Sequence, residues 1–147
     1  NIMLDLKTIT PIALSAQVIV NCKAGGDCNG GDPFQVYKYA AEEGIPDSSC
    51  EQYIAHNLEG ACQAIDRCRD CTWPPCVPGN DTACIKDKCW AVPHKKYHVS
   101  HYYEFSGATK MKAELFKHGP ISCGIQATPN FDANYTSGIY REVLADP

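Results

Sequence analysis

Residues 22–34 read CKAGGDCNGGDPF. Cys22 and Cys28 bracket one glycine pair; a second pair, Gly30-Gly31, leads into Asp32, Pro33 and an apolar residue. Asp32 is a good helix N-cap, Pro33 suits the first helical position, and Gly44 is placed to end the helix in the left-handed conformation. The spacing predicts a helix over about 33–43, with Phe34, Tyr37, Ala40 and Ala41 as its buried stripe. Pro46 prevents any continuation. A glycine-rich loop that is pinned by sulfur and opens onto a helix suits a phosphate cradle, a zinc clip, a disulfide bead or the wall of a substrate cleft.

Upstream, Ser15 can cap a helix whose apolar residues include Val18, Ile19 and Cys22, ended by Gly25-Gly26. Downstream, residues 47–92 have weak periodicity and most of the cysteines, and read as irregular structure with short helical turns held by disulfides. The composition changes at Val92-Pro93. HKKYHVSHYYEF (94–105) alternates as a strand, with Tyr97, Val99, His101, Tyr103 and Phe105 on one face. Thr109 can cap a helix over 110–118, ended by Gly119-Pro120. PISCGIQA (120–127) alternates strictly, with Ile121, Cys123, Ile125 and Ala127 on one face, and Gly138-Ile139-Tyr140 starts one more strand. The organisation is a helical, disulfide-rich unit over 1–92 and a β-rich unit over 93–147.

The chain has 147 residues, with 44% hydrophobic and 20% charged residues, ordinary values for a globular protein. Net charge is −4 and no Lys/Arg run exceeds two residues, so no basic footprint for nucleic acid is present. No apolar run approaches the roughly 18 residues of a membrane span. NIMLDLKTIT has no signal-peptide pattern and no initiator Met, so the chain is expected to start partway through a protein. Ten cysteines are the loudest compositional fact, seven of them between Cys50 and Cys89. Such density fits disulfides on a secretory or lysosomal route. The glycosylation sequons at Asn80 and Asn134 fit the same route.

Phosphate cradling fails, because a P-loop ends in Gly-Lys-Ser/Thr and this loop ends in Gly30-Gly31-Asp32, whose carboxylate would repel phosphate. Zinc has some of its parts: Cys68 and Cys71 form a C-x-x-C, and His94, His98 and His101 follow. A second C-x-x-C is missing, and His98 and His101 would fall on opposite strand faces. Surface histidines beside disulfide cysteines are the simpler reading, and no metal is expected. Cys89-Trp90 resembles part of a cysteine-protease nucleophile signature, but Pro93 forbids the helix whose N-terminus would activate that thiol. Cys89 is therefore read as a structural half-cystine. Glu42, Glu43 and Asp66 read as solvated charges, not acid/base pairs.

Three stretches, in order, resemble one family. They are Leu14-Ser15-Ala16-Gln17 through Cys22 into Asp27-Cys28-Asn29-Gly30-Gly31, then Gly119-Pro120-Ile121-Ser122-Cys123-Gly124-Ile125, then Asn134-Tyr135-Thr136-Ser137-Gly138-Ile139-Tyr140. They resemble the LSxQxxVxC…GCxGG, GPxSxxI and YxxGIY segments of the papain-like cysteine proteases. The spacing of Cys50, Cys62, Cys68 and Cys71, with Gly44-Ile45-Pro46-Asp47, narrows the resemblance to a cathepsin branch with carboxypeptidase activity. Essentially the whole chain is covered except 72–88, which resembles an insertion.

The resemblance implies an α+β, papain-like two-domain cysteine protease fold, disulfide-rich and incomplete at both ends. Residues 1–92 would be the later part of the helical left domain, and 93–147 the first part of the β-barrel-like right domain. The family's nucleophilic Cys, oxyanion Gln, catalytic His and Asn would all fall outside the chain, so no catalytic residue is assigned here. Gly30 and Gly31 would run beside bound peptide, with Asp32 and Pro33 bordering a side-chain pocket floored by Gly124. A side chain at either glycine would block the peptide. The implied pairs are Cys22–Cys62, Cys50–Cys68 and Cys71–Cys89, with Cys76–Cys84 closing the insertion and Cys28 and Cys123 unpaired within the chain. The activity implied is peptide-bond hydrolysis without a cofactor, by a monomeric lysosomal or extracellular enzyme acting on peptides or proteins. The competing class is a disulfide-rich secreted peptide-binding module or a non-catalytic protease homologue.

Overall fold

The computed structural model describes residues 12–58, 62–72 and 81–143. Its elements in chain order are α1 (Ala16–Asn21), β1 (Gly26–Asp27), β2 (Gly30–Gly31), α2 (Pro33–Glu42), α3 (Ala64–Arg67), β3 (Arg69–Cys71), α4 (Asp81–Lys88), β4 (Cys89–Ala91), α5 (Ala108–His118) and α6 (Pro129–Asn134). The ends of the helices follow from local chemistry. The Ser15 side chain accepts the Val18 N–H, Asp32 accepts the Phe34 N–H, and Thr128 accepts the Phe131 N–H. Gly44 closes α2 at φ +76°, where a Cβ would lie 2.7 Å from the His98 ring. Pro at the first turn supports both α2 and α6.

The core sits around α1. Val18, Ile45, Ala40, Cys68 and Ile85 are buried, but so are Ser15, Gln17, Asn21, Glu51 and Asp66. These polar side chains are paired. The Gln17 amide donates to Asn21 Oδ1 and to the His56 carbonyl, both at 2.8 Å, and its oxygen accepts the Ile54 N–H at 3.0 Å. Asn21 donates to the Asp66 carbonyl at 3.0 Å, and Ser15 to the Glu51 carbonyl at 2.7 Å. Each bond satisfies a group whose burial would otherwise cost about 1–3 kcal/mol, so α1 anchors the irregular segment 47–58 through hydrogen bonds as much as apolar contact. Glu51 Oε1 lies 2.5 Å from Arg69 Nη2, but the pair is not aligned as a hydrogen bond, and Glu51 Oε1 and Arg69 Nη1 make none.

Sulfur and a small ladder hold the remainder. The structure joins Cys22 to Cys62, Cys50 to Cys68 and Cys71 to Cys89. Cys84 is also disulfide-bonded, whereas Cys76 and Asn80 lie outside the described residues. Cys28 and Cys123 are free and exposed. Antiparallel β3 and β4 pair Arg69 with Ala91, Asp70 with Trp90 and Cys71 with Cys89, order that the weak periodicity of 47–92 did not announce.

Four expectations change. Asp66, expected to be a solvated charge, is buried and accepts the Gln63 N–H at the start of α3. The segments 94–105 and 120–127 and the stretch from Gly138 are extended chain without ladders; only Tyr97 bridges, to Ile45. Alternation creates a face, but a strand also needs a partner strand to take its N–H and C=O groups in a ladder, and among the described residues these segments form none. The cap of α5 is Gly107, with Thr109 inside the helix. Tyr37 is 44% exposed and leaves the buried stripe of α2, where Ala40 is the one buried residue. The chain after Tyr97 instead follows α2: the Val99 N–H donates to the Ala40 carbonyl at 3.3 Å, and Phe34 meets Tyr102 edge-on at 5.3 Å.

Candidate functional site

The loop 22–34 folds back on itself. Gly26 pairs with Gly31 and Asp27 with Gly30, across a turn at Cys28-Asn29. Asp27 Oδ1 accepts the Asn29 N–H at 2.8 Å, and Asn57 Oδ1 accepts the Cys28 N–H at 3.1 Å, so the turn is held from inside and from the neighbouring segment. The Asp32 N–H donates to the Gly25 carbonyl at 2.6 Å and locks the exit into α2.

The glycines have different reasons. A Cβ on Gly31 would lie 2.5 Å from the Gly25 carbonyl oxygen, and one on Gly26 would lie 2.3 Å from that of Gly30, so these two allow the hairpin strands to close. Gly30 has φ +135° and open space beyond its Cβ position, so there the requirement is conformational. These requirements within the chain stand beside the expected one, the close approach of a peptide. At Gly31 the collision is with the protein's own backbone. Gly30 and Gly31 are both exposed, and the outer edge of β2 has no partner among the described residues.

Two adjoining clefts meet at the start of α2. One, of about 340 Å³, is lined by Gly30, Gly31, Ile19 and Val20. The other, of about 820 Å³, is lined by Phe34, Tyr102, Cys123 and Gly124. Asp32, Pro33, Tyr37 and Ser122 line both. The structure thus brings Gly30, Gly31, Asp32, Pro33 and Gly124 to two adjoining clefts, although Gly124 is about ninety residues away in sequence. Residues 120–124 form the wall facing α2.

The larger cleft also holds Tyr103, Glu114 and His118, to which the sequence alone assigned no part in the site. Glu114 Oε1 is 2.6 Å from His118 Nδ1, one helical turn away on α5. A hydrogen bond from the Tyr103 hydroxyl, and then the bond from His118, hold the Glu114 carboxyl below its usual range. The bond to Glu114 raises the Tyr103 phenol. The i,i+4 spacing of Glu114 and His118 was the available signal; the approach of Tyr103 was not encoded locally. No free thiol–imidazole pair is formed here: Cys123 is exposed, and among the described histidines His98 contacts the Ala41 carbonyl and His94 the Val92 carbonyl. Cys89, whose setting resembled a nucleophile, is bonded to Cys71.

A profile described as papain family cysteine protease matches residues 3–146. The chain belongs to this family. Its mixture of helices, short strands and three described disulfides is that of a disulfide-rich, α+β papain-like domain. It is 42% identical over 132 residues to Cathepsin Z of Onchocerca volvulus, covering 90% of this chain and 38% of that protein. It is 26% identical to Cathepsin B-like protease 1 of Arabidopsis thaliana (90% of this chain, 34% of the relative). It is 27% identical to Cathepsin B-like cysteine proteinase 1 of Ostertagia ostertagi (88% and 40%). The chain therefore spans between a third and two fifths of the length of these relatives.

Proposed function

We propose that this chain forms one wall of the substrate cleft in a cysteine peptidase of the cathepsin Z (cathepsin X) type, which removes single C-terminal residues from peptides. In that reading 1–92 belongs to the helical domain and 93–147 to the barrel-like domain. The nucleophile and its base come from outside these 147 residues. The thiolate attacks the peptide carbonyl and the imidazolium protonates the departing amine, so no cofactor is required. The observation that carries the reading is the open outer edge of Gly30-Gly31, exposed beside Asp32, Pro33 and Gly124. An extended peptide can add there as a strand through main-chain hydrogen bonds.

The apolar surface supports the same reading. Phe116, Ile139 and Val143 are 95%, 89% and 98% exposed, surface that the remainder of the protease domain would cover in this reading. The density of disulfides fits a lysosomal or secreted protein. No helix among the described residues is long and apolar enough to cross a membrane. The working form is a monomer acting on peptides, with no nucleic-acid partner.

The test uses the longer protein that carries the whole protease domain, with a peptide substrate. Gly31→Ala is expected to raise KM at least tenfold and to change kcat less than twofold, because the added methyl must push β2 away from Gly25 and so displace the edge that receives the peptide. The 147-residue chain alone is expected to give no turnover. Turnover by that chain, or an unchanged KM in the variant, would overturn the proposal. Tight peptide binding without cleavage by the longer protein would favour a non-catalytic homologue.

A further inference from the structure

The Cys50–Cys68 bridge has an unusual neighbour. The sulfurs of Cys50 and Cys68 and a ring nitrogen of His94 all lie within 4.8 Å of one another. His94 Nδ1 is 3.2 Å from the Val92 carbonyl, which can only accept, so Nδ1 is the donor there, and a neutral ring so placed has its lone pair on Nε2. Nε2 is buried and has no hydrogen-bond partner. A buried imidazole lone pair without a donor needs a physical reason. The tautomer present, with Nδ1–H on a backbone carbonyl, is the one that metal-binding histidines adopt.

As the bridge stands, its two sulfurs bond to each other and are poor ligands. We propose that reduction of Cys50–Cys68 converts this cluster into a zinc site whose protein ligands are the two thiolates and His94 Nε2. A dithiol reductant delivers two electrons and two protons to the bridge, and is itself oxidised to a disulfide. Zn²⁺ then displaces the two thiol protons, giving a neutral complex of two thiolates and one imidazole, with water in the fourth position. Tetrahedral bonds of roughly 2.3 Å to sulfur and 2.0 Å to nitrogen place the three ligand atoms about 3.5–3.8 Å apart. The sulfurs must therefore separate after reduction, by side-chain rotation, and the His94 ring must settle at bonding distance, starting from ligand atoms that already lie within 4.8 Å of one another. The backbone around the site is restrained: the Arg69 N–H donates to the Cys50 carbonyl at 3.3 Å, and the Val92 N–H to the Cys68 carbonyl at 3.1 Å. Bound zinc would replace the covalent link between the segment at Cys50 and the β3–β4 pair. The arrangement uses Cys68 and His94 of the motif considered in the sequence, but Cys50 takes the place of Cys71, which is bonded to Cys89.

The test is resolved by site. Cys28 and Cys123 are first capped with iodoacetamide in the oxidised protein. The protein is then reduced, freed of reductant without air, and treated with N-ethylmaleimide with and without equimolar Zn²⁺; labelled cysteines are mapped by peptide mass. Zn²⁺ is expected to slow labelling of Cys50 and Cys68 at least tenfold and that of Cys71 and Cys89 less than twofold. Both His94→Ala and His94→Gln, the latter keeping a side chain of similar bulk, are expected to bring the protection below twofold. Absence of protection, equal protection at all four cysteines, or protection that survives in both variants would overturn the proposal.

Discussion

Replacing Cys22 and Cys62 together with alanine is expected to lower the unfolding free energy by about 3 kcal/mol, read from urea unfolding of the oxidised protein. The bridge spans 40 residues. Closing a loop of that length removes about 4 kcal/mol of unfolded-chain entropy in the loop-closure account. Part of that gain is offset in the folded state. Cys62 has φ +52° and Lys23, next to Cys22, has φ +48°, conformations that disfavour a residue with a Cβ. Releasing one such residue returns about 1 kcal/mol. The entropy term is the larger, so the variant loses stability. A loss under about 1 kcal/mol would mean that the oxidised chain's unfolded state is already compact, and would sink the loop-closure argument.

What the sequence made legible was whatever is decided within one turn of chain. Asp32, Pro33 and Gly44 set both ends of α2 by cap chemistry, and those ends are where the structure has them. The Thr128-Pro129 start of α6 carried the same kind of signal, unread beside a longer apolar alternation. The strands expected at 94–105 and 120–127 failed for the converse reason: alternation is local, whereas a ladder needs a second segment. The buried polar set was illegible because polar side chains such as Gln17 and Asn21 carry no sign of burial until His56, Ile54 and Asp66 supply their partners. The cleft was partly legible. The family resemblance named Gly30, Gly31, Asp32, Pro33 and Gly124 as lining residues, and the fold brings them to two adjoining clefts. For Gly31 the hairpin adds a reason the sequence did not show, since its absent side chain would strike the Gly25 carbonyl.

Stability is expected to fall as pH rises from about 4.5 to 7, through Glu51. Burial pushes its carboxyl up from 4.5 to about 7, and the Arg69 guanidinium, although close, offsets only part of this. The two influences have opposite signs, and burial wins because the Glu51 side chain is only 1% exposed and its Oε1 receives no aligned hydrogen bond. A folded-state value above the unfolded one means that the folded protein holds the proton more tightly. The associated stability is complete below about 4.5 and is lost as the pH passes through about 7. A shift of that size corresponds to about 3 kcal/mol between the two limits. Glu51→Gln keeps the shape and removes the titration. The variant should match the parent near pH 4.5 and be the more stable of the two by up to about 3 kcal/mol at pH 8, measured by urea unfolding at each pH. A variant that instead becomes the less stable one as pH rises would show that Arg69 holds the carboxylate charged, and that the ion pair outweighs burial. With burial dominant, this carboxyl contributes most in acid, which suits the lysosomal setting proposed for the protein.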